Sequence, residues 1–119
     1  MRFFCELVVR AMVTLGLVAG LSWIGASVHA QDAAVTMHIS VSNHRFQPAE
    51  IRAAANKPII LRIKNLDATP MEFESVTLRV EKIVAGNSEG IIRLRALSSG
   101  RYDFFDDFRP ETRGTLVVQ

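Results

Sequence analysis

Two short acidic stretches hold the groups in this sequence most suited to chemistry. Met71-Glu72-Phe73-Glu74-Ser75 sets two carboxylates at alternate positions beside a thioether, and Asp103, Asp106 and Asp107 lie on or after a run that begins at Tyr102. Side chains of an extended chain alternate between two faces. Glu72 and Glu74 therefore share one side, while Met71, Phe73 and Ser75 share the other, with Phe73 buried. Carboxylate oxygens are hard donors that suit iron, manganese, calcium or magnesium. A thioether with a nearby histidine would instead suit copper. Two histidines lie beyond residue 30. His38 alternates with Met37 and Ile39 and is expected on a wet face. His44 sits in the turn Ser42-Asn43-His44-Arg45 and is the better candidate ligand.

A bland reading of the same residues stands beside this one. Arg109 follows Asp106 and Asp107 closely enough to neutralise them as a surface ion pair, worth little energetically. Glu74 has Arg79 as a candidate partner. Phe104, Phe105 and Phe108 read as core and loop packing, and Tyr102 as a structural corner residue. Serine and histidine show no nucleophile–base arrangement, so the chain does not read as a hydrolase.

The elements that position these groups are short alternating runs. They comprise Val35–Val41, Phe46–Ala53 with a bend at Pro48, Pro58–Asn65, Leu78–Val84, Ile91–Leu97, Arg101–Phe105 and Gly114–Val118. Ile59, Leu61 and Ile63 alternate with Ile60, Arg62 and Lys64. Period-two runs of five to eight residues, separated by Gly, Pro, Asn and Ser, predict an all-β sandwich of antiparallel sheets. Seven or eight strands in so short a chain predict a compact Greek-key β-sandwich.

The N-terminus reads differently. Arg2 and Arg10 precede an uncharged run from Ala11 to Ala26, which ends in the small-x-small pattern Val28-His29-Ala30. This is the pattern of a helical secretory signal peptide over residues 1–30, with residues 31–119 as one domain. The run is short of the roughly 20 residues of a membrane span, so cleavage is read ahead of the competing reading, an uncleaved membrane anchor, and no membrane insertion of the mature chain is expected. The sole cysteine, Cys5, falls in the leader, so the mature domain has neither thiol nor disulfide. With Arg2, Arg10 and Glu6 set aside, the 14 basic and 12 acidic residues become 12 and 11, a net charge of +1. The basic residues form no cluster, and no nucleic-acid partner is expected.

Four motifs in order carry a family resemblance over nearly all of residues 31–119. They are Phe46-Gln47-Pro48-Ala49-Glu50-Ile51, the Asn-ended Lys57–Asn65 run, Leu97-Ser98-Ser99-Gly100-Arg101-Tyr102-Asp103-Phe104, and Gly114-Thr115-Leu116-Val117-Val118. The sequence resembles the cupredoxins. Met71–Ser75, Leu78, Glu81-Lys82 and Tyr102–Phe108 are similar to one branch, the small periplasmic cupredoxin-like subunit of bacterial ferrous-iron uptake systems (the FtrB type, related to the cupredoxin part of EfeO-type proteins).

The resemblance implies a periplasmic accessory protein working beside a periplasmic iron-binding protein and a membrane iron permease. It also implies that the two acidic loops approach at one end of the sandwich, which makes Met71, Glu72, Glu74, Asp106, Asp107 and His44 the candidate metal ligands, for an iron or copper ion. A blue-copper centre needs a Cys thiolate, two His and usually an axial Met. Laid on the family's Tyr-x-Phe-x-Cys-x-x-His pattern, the cysteine position is Asp106 and the histidine position Arg109, while the earlier histidine position after Pro70 is Met71. Type 1 copper is therefore excluded. An arginine side chain has no lone pair to offer a metal, and relatives of the iron-uptake type tend to carry histidine there. Two alternatives follow: a partner-dependent component of Fe(II) oxidation, and a metal-free interaction module.

Overall fold

The computed structural model describes Gly25 and residues 33–119, so the expected leader lies, apart from Gly25, outside the described residues. Nine strands form: β1 Val35–Ser42, β2 Arg45–Gln47, β3 Glu50–Ala53, β4 Ile59–Asn65, β5 Met71–Ser75, β6 Val80–Val84, β7 Glu89–Leu94, β8 Gly100–Asp106 and β9 Arg109–Val118. They make two sheets, ordered β2-β1-β4-β7 and β3-β9-β8-β5-β6. The described residues contain no helix.

The alternation in β4 is realised as expected. Ile59, Leu61, Ile63 and Asn65 are buried, while Arg62 and Lys64 are exposed. His38 lies on the exposed side of β1. Two ladders are parallel, β1 with β4 and β3 with β9, within sheets whose alternation reads as antiparallel. The run Phe46–Ala53 is two strands in different sheets, because Pro48 offers no N–H to a ladder and the chain crosses there from one sheet to the other. Leu78 is buried in the turn before β6 rather than in a strand. The closing strand begins at Arg109, five residues earlier than the Gly114 expected from sequence.

Three aromatic rings fill the centre between the sheets. Phe104 lies 4.9 Å from Phe46, edge to face, and 4.9 Å from Phe73, stacked. All three are buried among Ile39, Leu61, Ile63 and Leu116. Such rings bury large apolar areas and add a modest geometric preference of about 0.5–1.5 kcal/mol per pair. Tyr102 closes the corner before β8, its hydroxyl donating to the Ser98 carbonyl at 2.8 Å.

Two polar side chains fix the loops at one end of the sandwich. Buried Asn65, last residue of β4, donates through Nδ2 to the Thr69 carbonyl at 2.8 Å and accepts the Asp67 N–H at 3.1 Å. Asp67 then reaches the β1–β2 turn, where it accepts the N–H of Asn43 at 2.8 Å and of His44 at 2.9 Å. Asn43 and His44 have φ of 51° and 57°. Two consecutive left-handed residues between strands are the backbone of a tight two-residue hairpin turn.

Candidate metal site

Strand β5 is central to the acidic region, with β6 on one side and β8 on the other. Met71, Phe73 and Ser75 are buried, whereas Glu72 and Glu74 are half-buried on the opposite face. The alternation read from the sequence therefore holds here. The β5–β8 ladder pairs Phe73 with Asp106 and Glu74 with Phe105. A register shift in β8–β9 between Phe105 and Asp106 marks where β8 gives way to the turn that presents Asp107. The Asp107 N–H donates to the Glu72 carbonyl at 2.9 Å, carrying the pairing one step past the strand end.

The result is a convergence of three carboxylates. Glu72, Glu74 and Asp107 each bring one oxygen into a group whose members all lie within 4.8 Å of one another. Glu81 adds to this field from β6, where it stands directly opposite Glu74. Among the described residues none of these four acids forms an ion pair. Partial burial pushes the Glu72 carboxyl above its ordinary value, and Asp107, Glu81 and Asp106 add to the rise. Glu74 is raised likewise, first by burial, then by Asp107 and Glu81. Like charges at short range disfavour ionisation of each other, and a bound cation would reverse that balance.

The remaining predicted residues fall elsewhere. Met71, 1% exposed, is part of the hydrophobic core. Asp106, also 1% exposed, faces inward with Phe104. Its Oδ1 accepts the N–H of Glu72 at 2.9 Å and of Phe108 at 3.0 Å, while its Oδ2 is buried without a partner. His44 Nδ1 lies 3.3 Å from Asp67 Oδ2, outside the three-carboxylate group. Neither ion pair of the bland reading forms among the described residues. Arg109 reaches the Thr69 hydroxyl at 3.5 Å, and Arg79 takes a left-handed conformation in the β5–β6 turn. On the same face as Glu74, Arg113 lies over the Phe105 ring, 5.4 Å from its centre. Sequence reasoning missed Glu81, whose place opposite Glu74 depends on cross-strand register, and Asp67, whose side-chain partners are more than twenty residues away.

A family model described as "Cupredoxin-like domain" matches residues 13–118. The uncharacterized protein RP394 of Rickettsia prowazekii (strain Madrid E) is 35% identical over 88 residues, which cover 73% of this chain and 70% of that protein. Among solved structures, the blue copper protein auracyanin A of Chloroflexus aurantiacus superposes with a TM-score of 0.62 at 16% identity, covering 73% of this chain and all of that one. The metal-binding domain of the Cu(I)-exporting P-type ATPase CopA of Streptococcus pneumoniae, solved with Cu(I), also gives 0.62 at 16% identity, covering 71% and 84%. At these identities the structural likeness shows the fold. The residues of this chain do not fit a type 1 copper ion. At the positions that the motif resemblance assigns to the thiolate and the two histidines stand a carboxylate engaged by two backbone N–H groups, a methionine sealed in the core and an arginine directed to Thr69.

Proposed function

This chain belongs to the cupredoxin-like family, and from that premise we propose that it is an exported accessory protein of ferrous-iron uptake that holds a divalent cation on Glu72, Glu74 and Asp107. The observation that carries the metal part is the convergence of those three carboxylate oxygens within 4.8 Å, with no basic side chain paired to any of them among the described residues. Three hard oxygens suit Fe(II) or Mn(II) better than Cu(I). Ions of this class prefer about six ligands, so such a site leaves positions for water or for a donor from a partner. Weak, open coordination suits an ion that is cargo.

The uptake role rests on the likeness of Met71–Ser75 and Tyr102–Phe108 to the iron-uptake branch. In that reading the partners are a periplasmic iron-binding protein and a membrane iron permease, and the compartment is the periplasm. The test is uptake of isotopically labelled Fe(II) by cells lacking this chain. Wild type is expected to restore uptake, and the triple variant Glu72→Gln/Glu74→Gln/Asp107→Asn is expected to fail. Full restoration by the triple variant would remove the carboxylates from the function.

A second reading is a metal-free interaction module, favoured by two apolar side chains at one end of the sandwich. Leu66 and Phe108 are 47% and 46% exposed, on the two loops that Thr69 and Arg109 join. Restoration of uptake by the triple variant, with loss in a Leu66→Ser/Phe108→Ser variant, would favour it.

A further inference from the structure

Asp106 lies buried on the core side of β8, while the three converging carboxylates are outside. We infer that Asp106 is the positioning residue of the carboxylate site: a single buried oxygen that sets the spacing between Glu72 and Asp107. The inference rests on the cation reading above and adds to it a residue that does not touch the ion.

The geometry is a clamp on one peptide. Asp106 Oδ1 accepts the Glu72 N–H at 2.9 Å, and the Asp107 N–H donates to the Glu72 carbonyl at 2.9 Å. Both backbone groups of Glu72 are thus held by the consecutive residues 106 and 107 of the facing segment. The same Oδ1 accepts the Phe108 N–H at 3.0 Å. That bond, from a side chain to the amide two residues on, is the Asx-turn that aspartate forms readily, and it directs Asp107 outward. One atom therefore fixes the strand that carries Glu72 and the turn that carries Asp107.

Burial makes the clamp stiff and costly. Asp106 is 1% exposed and its Oδ2 has no partner. A buried polar atom without a partner normally costs free energy, so the position is poorly explained by stability alone. Groups that orient ligands from behind are worth about 10–100-fold in metal affinity.

The experiment is Mn(II) titration, followed by calorimetry and by the Mn(II) electron paramagnetic resonance signal, on wild type, Asp106→Asn, Asp106→Leu and Glu72→Gln. Asparagine keeps the Oδ1 acceptor, whereas leucine fills similar space without one. The expected result is about tenfold or greater weakening in D106L and affinity within about threefold of wild type in D106N, with both variants folded. Wild-type affinity in D106L, alongside loss in E72Q, overturns the assignment and leaves the cation site standing. D106N as weak as D106L also overturns it, since charge and not the acceptor would then matter. Failure of wild type to bind Mn(II) overturns both the assignment and the cation reading. If D106L does not fold, amide exchange in wild type carries the test. Slower exchange at Glu72 and Phe108 on adding diamagnetic Mg(II) supports the clamp, and unchanged exchange at both overturns it.

Discussion

Glu74 and Glu81 stand directly opposite one another across the β5–β6 ladder, two carboxylates at paired positions on the same face. Like charges so placed destabilise a sheet, and neither has a basic partner among the described residues. In the cation-free protein, Glu81→Gln is expected to raise Tm at low ionic strength. The gain should fade in about 1 M salt, where the screening length is only about 3 Å. A Tm difference that persists unchanged in high salt would point to a cause other than charge.

The raised Glu72 and Glu74 carboxyls fix the sign of a pH effect. Their folded-state values lie above the ordinary 4.5. Folding therefore favours the protonated form of these groups relative to the unfolded chain. Their contribution to stability declines as pH climbs from 4.5 through the raised values. Denaturant unfolding in chelator should show that decline in wild type and a flatter profile in Glu72→Gln/Glu74→Gln. With Mn(II) present the trend reverses, because the ion binds the deprotonated groups and its affinity grows through the same window.

Asp67 behaves oppositely. The His44 N–H, followed by that of Asn43, holds its carboxyl below the ordinary 3.8 despite some opposing desolvation, and His44 and Arg109 add to the lowering. Its stabilisation is present above 3.8 and is lost as pH falls through the depressed value. Asp67→Ala should cost about 0.5–1.5 kcal/mol at neutral pH, the net worth of a hydrogen bond whose donors water can reach. The gap to wild type should narrow below pH 3.8. A constant gap across that range would rule out the carboxylate as its source.

Much of this arrangement was legible because it is local. The in–out alternation of Met71–Ser75 follows from strand geometry alone, and it correctly put Glu72 with Glu74 and Phe73 inside. The alternation of β4 was legible for the same reason. The break after Phe46-Gln47 was read only as a bend, since one proline does not reveal that the two halves join different sheets. Glu81 and Asp67 were missed because their neighbours are set by register and loop packing. Asp106 ends β8 and keeps the alternation that turns Phe104 inward, so its side was legible as well; grouping it with Asp107 as a ligand overlooks that consecutive strand residues face opposite sides.

Gly114 shows how tightly the central ring is held. A Cβ there would run into the Phe104 ring and lie 2.9 Å from the Ala49 carbonyl oxygen. Gly114→Ala should cost about 1–3 kcal/mol through overpacking. Phe104→Leu in the same chain should relieve part of that cost, so urea unfolding of the double variant should fall short of the sum of the singles. Strict additivity would mean that the ring is not what the new methyl meets.

The most direct test of the cation site is anaerobic calorimetric titration of Fe(II) into the wild-type protein and into Glu72→Gln/Glu74→Gln/Asp107→Asn. Saturable binding of one ion per chain, strengthening as pH rises above 4.5 and absent in the triple variant, is the predicted result. Binding of equal strength in the triple variant, or no binding to wild type, would contradict it.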